Sequence, residues 1–219
     1  MTSEMMMLQN FFELALTRRS IRKFEDQDIP VSKIEELIKI AVSAPSGCNS
    51  QCWKFIAIQD KTTMNQIEAA VIKKIAEIVE ILQPELPEEY LTSKRKTVGF
   101  FTKAPVVVAV FMTDYHYYDP VLESAFKAYG INDEEMMKLF ARPDMLSIGA
   151  AVQNLLLAIH EKGYGACWMN EPAVAGEEIS KIFKMPLDYK FMCLIPIGVS
   201  AYTPREKKLK EFREIFVSI

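Results

Sequence analysis

The chain has 219 residues, half of them hydrophobic and a quarter charged, and its formal net charge is −3. This composition is typical of a globular protein, and it excludes a strongly basic surface that would attract nucleic acid or an anionic membrane. The N-terminal segment lacks the basic residues and the apolar run of a secretory signal peptide. Four scattered cysteines are too few for a disulfide scaffold. We therefore expect a cytoplasmic protein with reduced cysteines, and no composition shift divides residues 1–219 into separate domains.

Apolar residues at helical spacing predict three helices in the first third of the chain, with one strand between the second and the third. Ser32, followed three residues later by Glu35, is typical of a capping box and predicts the start of the second helix. The predicted elements are helices over 5–17, from 32 and over 62–82, and a strand over 53–58, with Ile67, Val71, Ile75 and Ile78 facing inward.

The helix that dominates the rest of the chain is expected to run from about Ile148 to Gly163. It is apolar nearly all round, which indicates burial, and Gly163 is expected to end it in the left-handed conformation. The run is too short to span a membrane, which needs about 20 apolar residues. The other predicted elements are strands over 105–112, 166–169 and 191–199, a helix over 177–183, and helices and loops covering a pocket over 115–142.

Few strands separated by long helices favour an α+β fold, in which helices pack on both faces of one sheet in a three-layer α/β/α arrangement. The tail over 202–219 is basic and then apolar, with Phe212, Ile215, Phe216 and Val217 near its end. Because an apolar segment beyond the last core strand must be covered, we expect this tail to be an arm that packs on a second subunit.

Two basic clusters are candidates for binding a phosphate group. The segment 18–23 places four cations and a hydroxyl within six residues, and arginine binds phosphate oxygens through paired hydrogen bonds. The second cluster, Arg205, Lys207 and Lys208, follows the last strand and would complete the phosphate site. The alternative for both is a solvated basic segment, and neither of the usual glycine-rich phosphate motifs occurs in the chain.

The segment 45–53 is dense in hydrogen-bonding side chains and lies between a helix and a strand. Asn and Gln amides can bind the polar edge of a planar heterocycle, although a helix-terminating turn has the same composition. Cys48 and Cys52 lack a second cysteine pair and the chain has two histidines, so we expect no metal site. The segment 167–172 offers backbone amides to a ring nitrogen, or is a turn without a ligand.

Taken in order, these segments resemble the FMN-dependent nitroreductase family from about Leu14 to Phe216. Three motifs carry the resemblance: RRSIRKFEDQDIP before an amphipathic helix, APSGCNSQCWKFIAI between a helix and a strand, and SIGAAVQNLLLAIHEKGYGACWM. The resemblance implies the family's fold, with one mixed or antiparallel sheet flanked by helices. It also implies a homodimer that binds FMN at the subunit interface and exchanges C-terminal arms.

The resemblance further implies residues that bind FMN, with no catalytic side chain. The basic clusters would hold the phosphate and the pyrimidine side of the ring, the 45–49 loop would come from the other subunit, and the 169–171 turn would lie beside the reactive N5 edge. This chain departs from the family pattern at Cys52, where proline is usual, and at Lys207, where arginine is common. The implied cofactor-binding residues are Arg18, Arg19, Ser20, Arg22, Pro45, Ser46, Gly47, Asn49, Met169, Asn170, Glu171, Arg205 and Lys207.

The resemblance implies an oxidoreductase with a ping-pong cycle, in which NADH or NADPH reduces bound FMN and a small-molecule acceptor, such as a nitroaromatic or a quinone, reoxidises it. Relatives with this fold also fragment flavin, remove halogen from iodinated tyrosines or oxidise azolines, so another flavin reaction is one alternative. A non-catalytic flavin-binding protein or a partner-binding module is another. The segment 82–142, where family members differ most, would shape the substrate pocket.

Overall fold

One antiparallel sheet of four strands forms the centre of the computed structural model, which describes residues 11–81, 88–117 and 119–219. The strands are Trp53–Ile58 (β1), Val106–Met112 (β2), Gly165–Ala166 (β3) and Lys190–Gly198 (β4). They lie in the order β1–β2–β4–β3, so β2 and β4 are central and every residue of β2 is buried. The predicted strands over 53–58, 105–112 and 191–199 are confirmed to within a residue at each end.

One or more helices connect each strand to the next along the chain. The predicted first helix is confirmed over 11–17, while its remainder over 5–10 lies outside the described residues, as does Leu82 at the end of the third. The helices of the described ranges are 11–17 (α1), Val31–Ala41 (α2), Lys61–Glu80 (α3), Glu88–Val98 (α4), Pro120–Tyr129 (α5), Asp133–Leu139 (α6), Pro143–Glu161 (α7), Gly176–Ile182 (α8) and Phe212–Ile215 (α9).

Helices cover both faces of the sheet, which explains why β2 is an unbroken apolar run. Alternate side chains of a strand point to opposite faces. Val106, Val108 and Val110 pack with α2 and α7, whereas Val107 and Phe111 pack in a second cluster with α3 and α8. The predicted α+β fold in three layers is therefore confirmed.

The predicted capping box at Ser32 and Glu35 is wrong. Helix α2 begins one residue earlier, at Val31, because the Pro30 carbonyl already accepts the Lys33 N–H at 3.0 Å and the proline supplies the extended N-cap conformation. Ser32 therefore lies inside the first turn and caps nothing. A capping box does form at the start of α6, where Asn132 and Glu135 each bind the other's backbone N–H.

Two other predicted boundaries differ from the structure. Helix α7 begins at Pro143 rather than near Ile148, and it ends as expected before Gly163, whose φ is +78°. The strand expected over 166–169 is confined to β3, and Met169 forms only an isolated bridge with Leu194. Of the α3 residues expected to face inward, Ile78 is instead 46 % exposed.

The tail over 202–219 is exposed along almost its whole length, including the aromatic pair Phe212 and Phe216. Its exchange with a second subunit stays a prediction. Within the described ranges, no helix combines the length and the apolar character needed to cross a membrane.

Candidate functional site

A basic pocket of about 360 Å³ brings together the two basic clusters from opposite ends of the chain. The segment 18–25 runs along the edge of the sheet, where the Ile21 N–H donates to the Ala166 carbonyl at 2.9 Å and the Glu25 N–H donates to Val199 at 2.9 Å. The tail then turns back beside it through the Ala201 N–H, which donates to Lys23. The pocket is lined by Arg18, Arg19, Ser20, Arg22, Tyr202, Pro204, Arg205 and Lys207.

The cations of this pocket are not equivalent. Arg19 donates to three backbone carbonyls, those of Leu16 at 2.6 Å, Arg18 at 2.8 Å and Arg205 at 3.3 Å, so it ties the tail to the N-terminal segment. No carboxylate of the described residues forms an ion pair with the other four cations. Uncompensated cations around a pocket favour an anionic ligand, and a phosphate is the anion that several arginines bind best. These four cations are Arg18, Arg22, Arg205 and Lys207.

His160 lies beside the basic pocket, near the end of α7. The Thr17 hydroxyl donates its proton to the Glu13 carbonyl at 2.7 Å, so it accepts the 2.9 Å hydrogen bond from the His160 Nε2–H. Burial lowers the pKa of His160, and the positive charges of Arg18 and Arg19 lower it further. The imidazole is therefore a neutral hydrogen-bonding group near neutral pH.

The turn after β3 begins at Cys167, which lies near Arg22 and Ser20 of the same pocket. Burial raises the pKa of the Cys167 thiol, and the neighbouring Arg22 guanidinium opposes that shift. Met169 has a buried side chain, and its backbone N–H and carbonyl both pair with Leu194, so this predicted site residue has no free backbone group. The N–H groups of Asn170 and Glu171 begin a 3-10 turn and have no acceptor within it, so they are the donors that this turn offers.

Helix α4 is joined to this turn by an ion pair. The Lys94 Nζ lies 2.6 Å from a carboxylate oxygen of Glu171, and this contact raises the pKa of Lys94. Helix α4 is thereby connected to the turn that the resemblance places beside the flavin. The sequence does not indicate the Lys94–Glu171 ion pair, because the two residues are 77 positions apart.

The 45–51 loop lies at the other end of α7. The Gly47 N–H donates to the Ser147 hydroxyl at 3.0 Å, and that hydroxyl donates to the Pro143 carbonyl at 2.6 Å. Ser147 and His160 are 13 positions apart on one helix, which at about 1.5 Å per residue separates them by about 20 Å. One chain therefore does not bring this loop to its own basic pocket.

The loop has an unusual backbone conformation for residues that carry side chains. Cys48, Asn49 and Gln51 have φ values of +52°, +52° and +47°, a region that costs about 1–2 kcal/mol for each residue other than glycine. The Ser46 hydroxyl accepts the Gln51 N–H at 3.0 Å and helps to hold this conformation. Asn49 and Pro45 are exposed on its outer side.

The structure thus brings two of the four candidate segments into one pocket, places the start of the third beside it and leaves the fourth apart. The segments 18–22 and 205–207 line the pocket, Cys167 lies near Arg22, and the 45–51 loop lies at the other end of α7. Among the described residues, no three histidine, cysteine or acidic side chains are grouped as a metal would require.

The fold is thus an α+β sheet with a pocket at its edge whose cations form no ion pair within the described residues, a site suited to an anionic ligand. Similarity to known proteins identifies the family of this chain. Residues 15–199 match the model of the nitroreductase family, so the chain belongs to that family.

Several kinds of protein are similar to this chain. An iodotyrosine deiodinase of Thermotoga neapolitana is 26% identical over 193 residues, which cover 87% of this chain and 89% of the relative. The crystal structure of a BluB-like flavoprotein from Clostridium difficile 630 has a TM-score of 0.79 and 30% identity, covering 97% of this chain and 98% of that one. A nitroreductase with bound FMN from Desulfitobacterium hafniense has a TM-score of 0.68 and 19% identity, covering 96% and 98%.

Proposed function

We propose that the protein is an FMN-dependent oxidoreductase that uses NADH or NADPH to reduce nitroaromatics, quinones or related small molecules by a ping-pong mechanism. The observation that supports this most directly is the basic pocket, in which four cations without an ion-pair partner among the described residues complement the negative charge of the FMN phosphate. A nitroreductase of the same fold carries bound FMN. When bound, FMN supplies the two-electron redox chemistry.

The residues of this chain would bind and orient the cofactor. Arg18, Arg22 and Arg205 are assigned to the phosphate, together with Lys207. Arg19 is assigned a supporting role, since its guanidinium is occupied by carbonyl oxygens. The N–H groups of the turn after β3 are assigned to the polar edge of the ring, where fixed donors stabilise the negative charge that develops on reduction.

The proposed site also requires a homodimer. Ser147, which binds the 45–51 loop, and His160, which lies beside the basic pocket, are about 20 Å apart along α7. We therefore assign the loop that contacts the flavin to a partner subunit. Surfaces suited to such a partner are exposed, since α7 presents Leu146 at 64 % exposure and the tail presents Phe212 and Phe216. Covering these exposed apolar side chains with a second copy of the chain would stabilise a dimer.

A second candidate is reductive dehalogenation of an iodinated tyrosine, supported by the relative that carries the name iodotyrosine deiodinase. That reaction needs a cover over the substrate. Helices α5 and α6 provide such a segment, since α5 has no buried residue and the Phe126 ring packs edge-on against Phe140 at the end of α6. Nothing in this segment selects the amino-acid substrate over a nitroaromatic one.

An absorbance spectrum of the purified protein from about 300 to 600 nm, with and without added FMN, tests the proposal. We expect flavin bands that bleach with NADH or NADPH under argon and return when nitrofurazone is added. Return of the bands with 3-iodotyrosine, together with iodide release and no nitrofurazone turnover, would favour the second candidate. A protein without flavin bands after incubation with excess FMN and removal of the unbound FMN would refute both.

A further inference from the structure

Tyr115, which lies outside the three sequence motifs, packs its side chain against the 46–51 loop. Its hydroxyl donates to the Cys48 Sγ at 3.8 Å. The same oxygen lies so close to the Cα of Gly47 that a Cβ added at that position would collide with it. Tyr115 therefore packs directly against the two residues at which the loop enters its left-handed conformation.

The need for glycine at position 47 follows from this contact and not from backbone conformation. Gly47 is not among the glycines with a positive φ in the described ranges, so its backbone would accept an alanine. The atom that excludes a methyl group is the Tyr115 hydroxyl oxygen, whereas the nearest ring carbons would lie 3.2 Å from the added Cβ, a tight but adjustable distance. The Tyr115 hydroxyl therefore occupies the space that a Cβ at position 47 would need.

The Tyr115 hydroxyl is also a permanent hydrogen-bond donor. Burial, with the hydrogen bond to Cys48, raises the pKa of Tyr115 to about 12, so the phenol stays protonated at physiological pH. The buried Ser147 also accepts the Gly47 N–H at 3.0 Å. Two residues that are 67 and 100 positions away from their loop partners in the sequence thus hold the loop before any ligand binds.

We propose that Tyr115 is a positioning residue for the flavin, because its hydroxyl sets the conformation in which the 46–51 loop meets the cofactor of the partner subunit. This inference rests on the proposed function, since it requires FMN between two subunits. Tyr115 acts through the loop, and it need not touch FMN itself. A loop with three non-glycine residues at positive φ relaxes readily when a support is removed, and a relaxed loop loses affinity for its ligand.

The test is the FMN dissociation constant of three variants, measured by quenching of flavin fluorescence, with the visible circular dichroism of the bound flavin as a second readout. Gly47→Ala should weaken FMN binding about tenfold, since the methyl group pushes the loop away from Tyr115. Tyr115→Phe should weaken it about threefold through loss of the donor. The double variant should bind more tightly than Gly47→Ala alone, to within about threefold of the unaltered protein, because removing the hydroxyl makes room for the methyl group.

Tyr129→Phe is the matched control, because Tyr129 is 85 % exposed on α5 and should leave both readouts unchanged. If the Gly47 and Tyr115 effects simply add, or if Tyr115→Phe changes the flavin signal no more than the control does, the positioning role is refuted while FMN binding stands. If the unaltered protein binds no FMN, both the inference and the proposed function fail. Should Gly47→Ala not fold, the comparison of Tyr115→Phe with Tyr129→Phe decides.

Discussion

Replacing Arg142 by methionine tests how the start of α7 is held, and with it the support of the 45–51 loop. The Arg142 guanidinium binds the Asp144 carboxylate through two contacts, of 3.0 Å from Nε and 2.6 Å from Nη2. It also contacts Glu134 at 2.6 Å. Asp144 is nearly fully buried, and its carbonyl accepts a 3.8 Å hydrogen bond from the Cys52 thiol at the end of the loop.

The methionine variant keeps the aliphatic stem and removes the charge, which leaves a buried carboxylate without its cation. Breaking a buried pair from one side costs about 3–5 kcal/mol. The Met145 N–H still donates to Asp144 at 2.8 Å, so the lower end of that range applies. In a chain of this size each kcal/mol lowers the melting temperature by about 2–4 °C, so we expect a loss of about 6–12 °C.

Thermal unfolding followed by far-UV circular dichroism at pH 7 measures this loss. Arg95→Met is the control, because Arg95 is exposed on α4 and forms no ion pair with any described residue. The variant that also carries Asp144→Asn should be more stable than Arg142→Met alone, since the unpaired charge is then gone. A melting temperature for Arg142→Met within about 2 °C of the control would refute the reasoning.

Three further predictions concern the basic pocket and the tail. Arg22→Glu should weaken FMN binding at least tenfold, and a fluorescence titration that finds unchanged affinity would remove Arg22 from the phosphate site. Deleting the chain after Arg205 should shift the protein from dimer to monomer in analytical ultracentrifugation. A truncated chain that still sediments as a dimer would show that the tail contributes nothing to assembly. The pKa of His160 is lowered on folding, so the unfolded chain binds more protons and stability should fall as pH drops below about 6.5. His160→Gln, which keeps a donor to Thr17, should flatten that fall in urea unfolding between pH 5 and 7.

The elements that local patterns predict are the ones that the structure confirms. An unbroken run of β-branched residues such as that around Val108 is stable only inside a sheet covered on both faces. A helix that is apolar nearly all round, such as the one through Leu155, has to be buried, and Gly163 ends it because glycine adopts the left-handed conformation at little cost. These features depend on neighbours within a few positions, so the sequence alone determines them.

Helix starts depend on competing local signals, and there sequence reasoning failed. Ser32 and Glu35 have the spacing of a capping box. The helix nevertheless begins at Val31, one residue before Ser32, because the Pro30 carbonyl accepts the first hydrogen bond. The same pattern at Asn132 does form the cap. Which signal prevails depends on how the preceding segment enters the helix, and spacing carries no information about that.

The sequence by itself determined the fold class, the family resemblance and the residue types suited to a phosphate. Only the tertiary structure decided which of those residues lie together. It placed Arg205 beside Arg18, used the backbone of Met169 in pairing with Leu194, and set Tyr115 against Gly47. The physical reason is range: hydrogen bonds and steric contacts act over a few ångströms, and the residues that make them here are separated by long stretches of chain that only folding brings together.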